Sequence, residues 1–130
     1  MVSVIVLAYN VGEYIENCLH SIISQSYVNL DIIVVINGKS RDNTETIVEQ
    51  MAQSDHRIRL VYNRENSYIS DGRKLGLDAV KGEYFTFVDG DDYLPEDAVA
   101  NLMSLMKVND VDIVIGSIGA FTNGMRHICF

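Results

Sequence analysis

An α/β fold is predicted, with a mostly parallel sheet covered by helices on both faces. Three features of the sequence predict it. Short, continuous apolar runs rich in Val and Ile recur along the chain, as in strands buried on both sides. Between them, apolar residues keep the i, i+3, i+4 spacing of amphipathic helices. The runs close on Asn, Gly or Asp, residues that favour turns. The 130 residues are 48% apolar, enough to bury one core, so a single domain over 1–130 is expected.

The elements follow in order. Residues 2–8 form a first buried strand, and Tyr9-Asn10-Val11-Gly12 makes the turn after it. Ile15, Cys18, Leu19, Ile22 and Ile23 then mark one face of a helix. Residues 30–36 form a second buried strand, broken by Asn37-Gly38. Asp42 and Glu45 have capping-box spacing, and Ile47, Val48 and Met51 give the next helix its inner face. Residues 58–62 read as a third strand. Ile69, Gly72, Gly76, Ala79 and Val80 predict a helix packed closely through small residues, ended by Lys81-Gly82. Residues 84–88 form a fourth strand, followed by the acidic turn Asp89-Gly90-Asp91-Asp92. Pro95 fits the first position of a helix whose start carries Glu96 and Asp97, with Val99, Leu102, Met103 and Met106 facing inward. Residues 112–117 read as a fifth strand, and Asn123-Gly124 as the turn of a closing hairpin. The chain ends on Ile128-Cys129-Phe130, which reads as a strand cut mid-fold and predicts truncation.

Composition narrows the function classes. The net charge is -8 and no basic stripe is visible, which argues against a general nucleic-acid binder. No apolar span is long enough for a membrane helix, and residues 1–7 lack the basic flank of a signal peptide. Cys18 and Cys129 lie far apart, with neither metal-ligand nor disulfide-framework spacing. A reducing, cytoplasmic setting is expected, with Cys18 serving core packing.

In parallel sheets ligands bind beyond the carboxyl ends of the strands. The loops at 8–12, 36–42, 63–70 and 89–93 are therefore the candidates. At Asp89-Gly90-Asp91-Asp92 three carboxylates crowd the end of a strand, and their repulsion is costly unless a cation neutralises them. Such oxygen ligands suit magnesium or manganese, which share substrate phosphates. The same residues also fit a solvated turn that caps the following helix. Tyr9 can stack on a base or cap the core. Asn37-Gly38-Lys39-Ser40 can be an ordinary turn, and Arg73 with Lys74 can face a phosphate or water.

Taken together, these residues resemble the family 2 glycosyltransferases of GT-A fold, a Rossmann-like architecture, over nearly the whole chain. The resemblance runs through Val2-Ser3-Val4-Ile5-Val6, Tyr9-Asn10, Leu19, Ser21-Ile22 and Gln25-Ser26-Tyr27. It continues through Asp31-Ile32-Ile33-Val34-Val35, Asp42-Asn43-Thr44, Asn66, Arg73, Gly76 and Lys81-Gly82-Glu83-Tyr84, and ends in Asp89-Gly90-Asp91-Asp92.

The resemblance implies metal-dependent, inverting transfer of a sugar from a nucleotide-sugar donor, of UDP type, to a glycan or lipid-linked acceptor in polysaccharide biosynthesis. Tyr9 would stack on the base, beside Ala8. Asn37 would read the base edge, and Arg73 would lie near the nucleotide. Asp89 and Gly90 would meet the donor, with Asp91 and Asp89 holding Mn2+ or Mg2+. The sequence departs from the family at Leu7, at Ile36-Asn37-Gly38 (usually Asp-Asp-Gly), at Arg41 and at Lys74. The family's catalytic base and acceptor platform lie beyond the metal motif, and no residue here is a candidate for that base. Self-association through uncovered apolar surface is expected. A non-catalytic nucleotide-sugar-binding module is the alternative. A receiver-like signalling domain fits less well, because the acidic cluster follows the fourth strand. A dinucleotide-binding Rossmann domain lacks its glycine fingerprint after the first strand.

Overall fold

In the computed structural model, the backbone is described for residues 1–64, 68–116, 118–122 and 125–129, and side chains for 1–64 and 68–116. Strands β1 (Val2–Ala8), β2 (Leu30–Asn37), β3 (Ile58–Asn63) and β4 (Tyr84–Asp89) form one sheet in the order β3-β2-β1-β4, and every pairing is parallel. Helices α1 (Ile15–Ile23), α2 (Thr44–Ser54) and α3 (Ile69–Asp78) provide the crossovers, and α4 (Ala98–Asn109) follows β4. The runs of β1 and β2 are continuous because both of their faces are covered. Val4, Val6, Ile32 and Val34 pack with Ile15, Leu19, Ile22, Val48, Val99 and Met103 on one face. Ile5, Ile33 and Val35 pack with Leu75 of α3 and with Ala79 just after it on the other. Cys18 lies in the first of these cores, as expected.

Three local expectations are corrected. Residues 112–116 form no strand, and Ser117 lies outside the described residues. Ile113 is 77% and Ile115 88% exposed, so neither is buried against the described residues. The next strands are instead β5 (Ile118–Thr122) and β6 (Met125–Cys129), paired antiparallel across the expected Asn123-Gly124 turn, whose own residues lie outside the description. Asp42 and Glu45 do not form the reciprocal capping box. Asp42 accepts from Thr44 N–H, while Glu45 accepts from Ser40 N–H. Pro95 is not the first helical residue either. It precedes α4 by a turn closed by Ala98 N–H on the Pro95 carbonyl.

Among the described residues no helix is long and apolar enough to cross a membrane.

Candidate functional site

The carboxyl ends of β1, β2 and β4 open onto one cleft of about 770 Å³. The parallel register aligns Leu7 with Asp89, so the residues just beyond β1 and at the end of β4 meet without any long connection. Tyr9, Asn37, Arg73, Asp89, Gly90 and Asp91 all line this cleft, as do Tyr68, Ile69 and Ser70 at the start of α3. Six of the seven residues singled out from sequence are thus brought together. Ala8 is not among the lining side chains. It is fully buried in the core under α1 and sets the chain's exit towards Tyr9. Lys74 is exposed and does not line the cleft, so the two adjacent cations separate, with only Arg73 facing it. Asn66 lies outside the described residues.

Each wall has its own construction. Tyr9 is 41% exposed, its ring available on the cleft side. Asn37 is only 7% exposed, and its Oδ1 accepts a hydrogen bond of 2.8 Å from Nδ2 of Asn63, its register partner on β3. Gly72 lets α3 approach this pair, since a Cβ there would stand 2.9 Å from Asn37 Oδ1. Arg73, one residue on, lays its guanidinium 5.5 Å from the Phe87 ring centroid and donates to Asp89 Oδ1 at 3.3 Å. Both side chains are about half exposed, which makes this a loose pair.

The acidic turn is held closely to the sheet. A Cβ on Gly90 would stand 2.6 Å from the Leu7 carbonyl oxygen, so only glycine fits. Cys18 Sγ lies 3.6 Å from the Asp89 carbonyl oxygen. Downstream, Leu94 N–H donates to Ser21 Oγ, and buried Gln25 donates to the Pro95 carbonyl at 2.6 Å while accepting from Val99 N–H. Gln25 therefore caps α4 from a different element, a role invisible to local sequence reading. The carboxylates feel one another. Desolvation, then Asp91 and Asp89, push the Asp92 carboxyl above its usual range. Burial, then Asp92, Asp91 and Asp89, push the Cys18 thiol up to about 12. Among the described residues no three His, Cys, Asp or Glu side chains converge closely enough to enclose a metal by themselves. The donor set is all oxygen and negatively charged, the chemistry that suits a hard divalent cation completing its shell from phosphates and water.

Fold and cleft place the chain among α/β proteins that take ligands at the carboxyl edge of a parallel sheet. Comparison with known proteins carries this further: the chain belongs to the glycosyl transferase family 2, whose pattern it matches over residues 3–128. Glycosyltransferase GlyG of Streptococcus pneumoniae is 34% identical over 117 residues, covering 90% of this chain and 38% of that protein. Glycosyltransferase GlyA of the same organism is 40% identical over 120 residues, covering 92% and 17%. The chain thus spans well under half the length of these relatives. Among solved structures, S. aureus TarS in complex with UDP-GlcNAc superposes with a TM-score of 0.76 at 28% identity, covering 84% of this chain and 32% of that one. Mannosyltransferase PcManGT from Pyrobaculum calidifontis, in complex with GDP-Man and Mn2+, gives 0.74 at 29% identity, covering 81% and 32%. The fold is of GT-A type, as the sequence predicts.

Proposed function

We propose that residues 1–130 form the donor-binding part of a metal-dependent glycosyltransferase that uses a nucleoside diphosphate sugar, of UDP type. The observation that carries this reading is the convergence of Tyr9, Asn37, Arg73, Asp89 and Asp91 on one cleft. Tyr9 offers a ring for stacking on the base. Asn37 offers an amide at the base edge. Asp91 and Asp89 would hold Mn2+ or Mg2+, with Gly90 keeping the turn flush against β1. When bound, the ion supplies positive charge against the diphosphate leaving group. Arg73 is positioned to exchange its loose pairing with Asp89 for a donor phosphate. In this reading the reaction inverts the anomeric centre, and the acceptor is a glycan or lipid-linked hydroxyl on the cytoplasmic side. The general base and the acceptor platform belong to the greater part of the relatives' length that this chain does not span. The TarS complex with UDP-GlcNAc and the PcManGT complex with GDP-Man and Mn2+ support a donor of this class.

The test is a calorimetric titration of UDP with manganese and with chelator. Binding that requires manganese is the expected result. Failure to bind UDP, or the same affinity in chelator, would end the metal-dependent donor reading. A sugar-transfer assay on the same chain distinguishes an enzyme from a binding module.

A further inference from the structure

The turn that carries Tyr9 is held by a different segment of the chain. Asn10 turns the backbone into the left-handed region, with φ of 52°. Three consecutive amides then point at side chains of the loop after β2 and of the first residue of α2. Asn10 N–H donates to Ser40 Oγ at 3.1 Å, Val11 N–H to Thr44 Oγ1 at 2.9 Å, and Gly12 N–H to Asp42 Oδ2 at 2.8 Å. In return, Asn10 Oδ1 accepts from Arg41 N–H at 2.7 Å. The acceptors are themselves fixed. Thr44 is fully buried, and its hydroxyl proton goes to Asp42 Oδ1 at 2.6 Å, leaving a lone pair for Val11. Asp42 Oδ1 also accepts Thr44 N–H at 3.0 Å. A Cβ on Gly12 would run into Asn43 Oδ1 and stand 3.0 Å from Asp42 Oδ2, so the two loops meet closely at this glycine. Hydrogen bonding also draws the Asp42 carboxyl below its usual range, Thr44 being the main donor, so it is ionised at neutral pH and accepts strongly.

We propose that Asp42 and Thr44 are positioning residues for the nucleobase: by holding the amides of Asn10, Val11 and Gly12 they fix Tyr9 as the stacking wall of the cleft. The proposal rests on the donor-site reading above. Tyr9 is held on one side by β1 and on the other by this brace. An aromatic ring held rigidly loses less freedom when a base stacks on it. The brace therefore sets affinity for the nucleoside end of the donor and leaves the diphosphate end untouched.

The experiment is a double-mutant cycle on the full chain, joining Tyr9→Ala with Asp42→Ala. The probes are UDP with manganese, uridine alone, and methylenediphosphonate with magnesium as a base-free ligand. Loss of base stacking costs about 10-fold in affinity. Asp42→Ala should weaken UDP and uridine by a similar factor and leave methylenediphosphonate unchanged. The double variant should bind no more weakly than Tyr9→Ala alone, because both remove the same contact. Thr44→Val should reproduce the loss, and Thr44→Ser, which keeps the hydroxyl, should restore it. Thermal melts check that each variant is folded. If Asp42→Ala does not fold, Ser40→Ala removes a single bond of the brace and must show the same non-additivity with a smaller loss. Additive losses, or equal weakening of methylenediphosphonate, would overturn the brace while leaving the donor site standing. A wild-type chain that binds no UDP would instead remove the donor site itself.

Discussion

The face of the sheet under α3 carries an Asp–Arg pair at each end, and the two are built differently. At the amino edge, Arg59 donates to Asp31 through two nitrogens, at 2.6 and 2.9 Å, and reaches the Ala79 carbonyl as well. Ser3 donates to the same carboxylate at 2.7 Å and accepts from the amides of Lys81 and Gly82. Asp31 is only 7% exposed, and every partner is within the fold. At the carboxyl edge, Arg73 meets Asp89 through one contact of 3.3 Å, with both side chains about half exposed. The same two residue types thus make a closed structural clamp at one end and an open, weakly committed pair at the other. A carboxylate buried and bonded this fully has little left to offer a ligand. A solvated pair costs little to rearrange. Burial and bond count, not residue type, separate scaffold from site.

Replacing each arginine in turn gives the largest expected effect. Arg59→Met leaves the Asp31 charge buried without its ion partner and should cost about 3 kcal/mol of stability, with UDP affinity unchanged. Arg73→Met should shift stability by less than about 0.5 kcal/mol and weaken UDP. Urea unfolding together with calorimetry measures both. Comparable destabilisation by the two variants would erase the distinction. The clamp also predicts a pH dependence. Burial alone would raise the Asp31 carboxyl, but hydrogen bonds from Arg59 and Ser3 outweigh it and hold it below its usual range. A carboxylate favoured in the folded state adds stability above its unfolded pKa of about 3.9. That stability is lost as pH falls through the folded value. Wild type should therefore lose stability on acidification more steeply than Arg59→Met, read as midpoint against pH.

The acidic turn gives the next largest effect. Asp91→Asn keeps the size of the side chain but replaces a charged oxygen ligand with a neutral amide. Loss of even an outer-shell partner costs about 10- to 100-fold in metal affinity, so manganese-dependent UDP affinity should fall on the order of 100-fold or more. Without metal, the same change relieves the Asp91 repulsion that adds to burial in raising Asp92, so the midpoint should hold or rise. A mere capping turn would give the opposite pattern, with a small loss of stability and persistent UDP binding.

How much of this was legible in the sequence follows from where the information lies. The first two parallel strands were legible because 2–8 and 30–36 are buried, mainly apolar runs, and the half-buried edge strands 58–62 and 84–88 because their β-branched and aromatic residues lie between turn signals. Residues 112–116 carry Ile113, Val114 and Ile115 in a row and form no strand; Ile113 and Ile115 stay exposed, so a short apolar run does not by itself decide a strand. The site was legible as a set of loops, since a parallel sheet delivers strand ends to one edge. Its internal wiring was not. Gln25 capping α4, Ser21 holding Leu94, and Thr44 with Asp42 holding the turn after β1 are bonds between residues 30 to 74 positions apart. No local spacing records them.

The smallest effect concerns the base. Asn37 belongs partly to each kind of region: nearly buried like Asp31, yet lining the cleft like Asp89. Its Oδ1 accepts from Asn63 within the fold. In the donor-site reading the Asn37 side chain exchanges contacts within the fold for the base edge, accepting from the N3–H of uracil and donating to a neighbouring carbonyl of the base. Guanine presents two donors on the corresponding edge and suits a carboxylate better. Wild type should therefore prefer UDP to GDP by roughly 10-fold, the worth of about one well-made hydrogen bond. Asn37→Asp keeps the acceptor for Asn63 and removes the amide donor, so the preference should narrow or reverse. The substitution keeps the volume and the bond to β3 but places a charge on a nearly buried side chain that shares the cleft with Asp89 and Asp91, so the midpoint of thermal unfolding should fall. Competitive titration of UDP against GDP, with manganese held constant, reads the ratio in both proteins. If wild type binds GDP as tightly as UDP, or Asn37→Asp leaves the ratio where it was, Asn37 belongs with the structural clamp and the base is read elsewhere in the cleft.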